Sequence, residues 1–139
     1  MPALTRWFIK SGLVYFVGAL LLGVALAMPA VFAVPSAVIV LGPVYFHFLM
    51  VGWMAQLIFG VVYWMFPRYS KEKPRGSESL GWATYGLLNV GLVLRTFGEP
   101  LHVLQPAASW GWVLALSAVL QWLAGVAFVL NTWARVKEK

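Results

Sequence analysis

Few side chains in this sequence can bind a metal or move a proton, and their scarcity makes each one conspicuous. His47 and His102 are the two imidazoles, the carboxylates are Glu without any Asp, and there is no Cys. The lack of cysteine excludes disulfides, thiolate metal sites, iron–sulfur clusters and covalent heme attachment through a CxxCH motif. His47 lies in a run from Ser36 to Phe66 that carries no charged residue. An ionisable group at membrane depth is costly, so it is a functional candidate by default. Two chemistries suit it: a histidine hydrogen-bonded between helices, or the axial ligand of a b-type heme iron. Zinc or copper alone is poorly supplied, because no second His, Cys or acid stands one turn away. Met50 and Met54 could add a weak thioether ligand or fill packing gaps. At about 100° per residue, Gln56 should face the side of the helix opposite to His47, together with Tyr45, Gly52 and Tyr63.

Arg95 and Glu99, four apart, are placed to form an intrahelical pair near the outer end of a third apolar run. Arg95 is also at a depth where it could meet the propionates of a heme held by His47. His102 follows Pro100 and is expected in an outer loop, facing solvent, bonding within the loop or reaching a heme. Hydrolase or transferase chemistry has no support, since Ser36, Ser109 and Ser117 lack a His and an acid placed to activate them. A proton-coupled multidrug transporter would need an embedded acid, and the first, second and fourth apolar runs contain none.

The elements that must position these groups are membrane helices. Of 139 residues, 62% are hydrophobic and 10% charged, and mean hydropathy is +0.84; such a chain cannot dissolve as a monomer. Apolar runs at about 7–28, 36–66, 80–97 and 110–133 predict an all-α, four-helix transmembrane bundle in a single domain. Pro29 and Pro35 end the first run. The second would reach about 45 Å as a helix, longer than a hydrocarbon core of roughly 30 Å. Arg6 and Lys10, then Arg68, Lys71, Lys73 and Arg75 in the loop from Pro67 to Ser79, then Arg135, Lys137 and Lys139, all fall on one side of four helices. Arg95 alone falls toward the other, so both termini are expected in the cytoplasm. The net charge of +6 thus reports topology, and nucleic acid is not an expected partner. Gly52, Gln56 and Gly60, at spacing four, form a small-polar-small face suited to close helix approach.

The stretch His47-Phe48-Leu49-Met50-Val51-Gly52-Trp53, followed by Gly60-Val61-Val62-Tyr63-Trp64-Met65-Phe66-Pro67-Arg68, resembles the second transmembrane helix of the heme-copper oxidase superfamily. The likeness is to nitric-oxide reductase and cbb3-type catalytic subunits and their small relatives. It implies that His47 ligates a heme b. Catalytic subunits of that family have about twelve helices in three four-helix arcs, and this chain is one arc long. It has no three-His copper site, so a complete oxidase or reductase activity is not expected of a single copy. The resemblance implies assembly from identical units, most simply a homotrimer, in the inner (plasma) membrane of a prokaryote. Small relatives often carry His-x-His here, and this chain has Tyr45 at the first position. A sixth iron ligand would then come from another chain, His102, Met50, Met54 or Tyr45, or be absent, leaving the iron open to a diatomic gas. The expected function is electron transfer or gas binding, with an electron donor from a respiratory chain as partner. The alternative is a noncatalytic assembly or accessory subunit of a respiratory membrane complex that binds no cofactor.

Overall fold

The computed structural model describes residues 1–106 and 109–136, so Lys137 and Lys139 lie outside the described residues. These form four long helices and no strand. Helix α1 is Ala3–Ala27, followed by a single turn at Met28–Ala30 where Pro29 removes a backbone donor. Helix α2 is a composite, Ser36–Met65, and gives way to extended backbone at Phe66 just before Pro67, as a residue preceding proline favours. Helix α3, Glu78–Leu104, starts at Ser77, whose Oγ accepts the Leu80 N–H at 3.3 Å. Glu78 in that first turn complements the helix dipole. Helix α4, Trp110–Thr132, continues into one further turn, Trp133–Arg135.

Two expectations are corrected. The third run does not stop at Phe97: α3 continues through Pro100 to Leu104. Proline removes one helix hydrogen bond, but a Cβ at Gly98 would lie 3.1 Å from the Leu114 side chain, so packing on the first turns of α4 holds this stretch helical. His102 therefore lies on a helix, not in a loop. Second, residues Phe48–Ala55 of α2 are a π-helix. Its hydrogen bonds run i→i+5, so each residue advances the helix by less rotation than in an α-helix. Over eight residues the deficit becomes a large part of a turn, and every face assigned across this stretch by α-helical spacing moves.

Three helical stretches are long and apolar enough to cross a membrane: Ala3–Ala30, Ser36–Met65 and Trp110–Arg135. Helix α3 is of comparable length, 27 residues, but its apolarity is broken by Asn89, Arg95, Glu99 and His102. It runs against α4 along much of its length and also touches α1 and α2. Ser117 donates to the Gly91 carbonyl at 2.7 Å, closing α3 on α4. Helices α1 and α2 form the other tight pair: a Cβ at Gly52 would stand 2.6 Å from Cγ of Tyr15, an approach no larger residue allows. Phe59 stacks on Phe128 at 3.9 Å between α2 and α4. Leu4, Phe8, Tyr63, Leu88, Leu92 and Ala124 make the buried apolar cluster.

The start of α1, the end of α2, the start of α3 and the end of α4 share one end of the bundle. Leu4 and Tyr63 meet at Gly81, Asn131 accepts the Ser77 N–H at 2.7 Å, and Arg135 reaches the α2 carbonyls of Tyr63 and Phe66. Among the described residues, the charges expected on one side thus gather at one end, with Arg95 toward the other.

Candidate functional site

Toward the other end, three polar side chains meet at the α2–α3 seam. His47 is the last α-helical residue before the π-helix, and its Nδ1 lies 2.9 Å from the Pro43 carbonyl one turn back. A carbonyl can only accept, so Nδ1 carries the hydrogen and, in the neutral ring, Nε2 carries a free lone pair. Glu99 Oε2 is 3.8 Å from the same Nδ1. Glu99 is 8% exposed; its Oε1 accepts from Arg95 Nε at 2.7 Å, while its buried Oε2 has no hydrogen-bond partner. The Arg95–Glu99 pair expected from the spacing is therefore present. The guanidinium donates through Nε in this bond, which leaves the Nη1 and Nη2 donors outside it.

Gln56 exchanges two amide hydrogen bonds with Asn89, at 3.2 and 3.3 Å, and Asn89 also donates to the Tyr85 carbonyl at 2.9 Å. Gln56 and His47 both address α3, contrary to the opposite faces expected for them. The physical reason is the π-helix, which lies wholly between the two residues and absorbs the rotation that α-helical geometry would have put there.

The remaining candidates go elsewhere. Tyr45 packs toward α1, where a Cβ at Gly23 would be 3.3 Å from its ring, and meets Phe46 edge-to-face at 5.3 Å. His102, exposed, stands by the first turn of α4, with Cε1 3.8 Å from where a Gly111 Cβ would be. Met50 and Met54 are exposed, as are Phe46 and Ile58, so the outer surface of α2 is apolar and rich in thioethers. Among the described residues no three His, Cys, Asp or Glu side chains come together as a metal site. What the cluster offers a metal is one imidazole nitrogen, oriented by a carbonyl as metal-ligating histidines usually are. A quarter of the His47 side chain is exposed, so that nitrogen belongs to a group at the bundle surface. This donor set would give a heme one protein ligand from each chain, the His47 imidazole.

Sequence reasoning placed Glu99 as a counter-ion to Arg95 and missed it as the third member of the cluster. Its signal was there, an isolated acid in an apolar helix. No family model, characterised protein or solved structure matches the chain.

Proposed function

We propose that the chain is a multi-pass membrane protein of a prokaryotic inner membrane that holds a heme b through His47 and carries electrons or binds a diatomic gas. In this reading α3 crosses the bilayer beside the three more apolar helices. Of its polar groups Asn89 pairs with Gln56 of α2 and Glu99 is buried against Arg95, while His102 is exposed by the start of α4, and both termini lie in the cytoplasm with the basic end. Support comes foremost from one observation: His47 Nδ1 is held by the Pro43 carbonyl at 2.9 Å, leaving Nε2 as a donor at the surface of the bundle. Heme bound there would supply a redox couple or an iron site for a gas. His47, its ring held by the Pro43 carbonyl with the Glu99 carboxylate 3.8 Å away, would supply the nitrogen ligand, and the Nη groups of Arg95 would be available to propionates. The half-exposed thioether face of α2 is where neighbouring copies would close the pocket, most simply as a homotrimer, by analogy with the three arcs of heme-copper oxidases.

Reduced-minus-oxidised and carbon-monoxide difference spectra of protein purified after heme-sufficient expression test this reading, with heme extracted and counted per chain. A Soret band lost in His47→Ala is expected. No band, or a spectrum unchanged in His47→Ala, refutes it. A second reading, a noncatalytic accessory subunit without cofactor, is favoured by the closure of the cluster on itself, since Glu99 already occupies Arg95 and flanks His47. Under that reading His47→Ala changes stability modestly and no spectrum at all.

A further inference from the structure

Arg135 is fully buried, although its position just after the last apolar run marks it as an ordinary juxtamembrane charge. Its Nε donates to the Pro67 carbonyl at 3.0 Å, and Nη2 donates to Tyr63 and Phe66 carbonyls at 3.2 and 2.9 Å. These are the orphan carbonyls at the C-terminal end of α2 and just beyond, so the side chain caps that helix. Capping accounts for Nε and Nη2 but not for Nη1, which is buried and has no partner. Nor does it balance the charge. A helix C-terminus presents about half a negative charge, no carboxylate among the described residues pairs with Arg135, and a second cation, Arg75, lines a neighbouring cavity with Tyr63, whose carbonyl Arg135 caps. A buried cation in this state calls for an anion.

The surroundings say which anion. Arg135, Phe66, Pro67 and Val136 line a cavity of about 180 Å³ that opens outward. The site sits where two of the membrane-length helices end, among strongly exposed apolar side chains: Met65, Trp133 and Val136. Trp at that level marks the headgroup region of a bilayer. We propose that Arg135, with Arg75 as an outlying second cation, binds the phosphate of an anionic phospholipid in this cavity. A phosphate oxygen meets Nη1, and acyl chains run down the apolar surface beside Trp133. Val136, 70% exposed, yields as the headgroup enters.

Replacing Arg135 removes the helix cap together with the site, so the decisive variants leave it in place. Val136→Trp fills the cavity, and Arg75→Gln removes the outlying cation. Native mass spectrometry of detergent-purified full chain, with phosphatidylglycerol, phosphatidylcholine or inorganic phosphate added, reads occupancy, and thermal melts run alongside. One retained phosphatidylglycerol per chain and a raised Tm are expected for the wild type. Retention should be abolished in Val136→Trp and weakened about fivefold in Arg75→Gln, the worth of one basic residue near an anionic surface. Equal retention in wild type and Val136→Trp overturns the proposal, as does no preference over phosphatidylcholine. A Tm rise given in full by inorganic phosphate, to which phosphatidylglycerol adds nothing, also overturns it by making the ligand a free ion.

Discussion

The two ends of the bundle accommodate an arginine in opposite ways. Arg95 keeps about a quarter of its side chain exposed and pairs with the carboxylate of Glu99 on its own helix, at 2.7 Å. Arg135 is buried outright and is served by backbone carbonyls of residues more than sixty positions earlier. One contact is local and ionic; the other is long-range and caps a helix. The difference teaches where each end has slack. The pair at the first end leaves a carboxylate oxygen unserved beside His47, and the cap at the second leaves a guanidinium nitrogen unserved beside a cavity. Each end has one polar atom to spare, of opposite charge, Glu99 Oε2 at one and Arg135 Nη1 at the other. The Gln56–Asn89 pair between them has all its amide groups engaged and carries no net charge.

If this contrast is right, unfolding titrations in mixed micelles should rank substitutions in a definite order. Arg135→Ala should cost the most, about 3 kcal/mol, because it strips charge-assisted bonds from three carbonyls and leaves the one of Tyr63 buried. Arg95→Ala should cost less, about 2 kcal/mol, through the uncompensated Glu99 carboxylate it leaves behind. Should Arg95→Ala prove the more damaging, the local pair and not the cap is the anchor of the fold. Glu99→Gln keeps an acceptor for Arg95 and should shift stability by under about 1 kcal/mol. Its coupling to Arg95→Ala in a double-mutant cycle measures the ion pair directly. Gln56→Leu should be mildest, at about 0.6 kcal/mol, the average for hydrogen bonds between membrane helices. A larger loss would place the neutral pair above the charged ones.

Much of the fold was legible from the residues. Apolar length, prolines at 29, 35 and 67, and the distribution of Lys and Arg located four helices and put the start of α1 and the end of α4 together, because each of those signals acts locally along the chain. Gly52 and Gly60 were legible as a packing face for the same reason: a missing side chain is visible in the sequence, and both contact α1. The pairing of Arg95 with Glu99 follows from spacing on one helix. The end of α3 was not legible, because Pro100 is a local stop signal overridden by packing on α4. Gln56 was assigned the wrong face, because nothing in the composition of Phe48–Ala55 announces a change of helical period. Arg135 read as a topological charge, since its partners are distant in sequence.

By itself, then, the sequence determined an all-helical chain with membrane-length apolar segments, a basic end, and one imidazole set in a charge-free run. Those properties are sums over neighbouring residues and need no knowledge of which helices touch. Tertiary structure alone decided that a π-helix turns His47 and Gln56 toward the same neighbour, that Glu99 is buried beside His47, and that Arg135 closes the end of α2. Each depends on helix rotation or on contact across the bundle, where a fraction of a turn separates a side chain in the seam from one in the lipid.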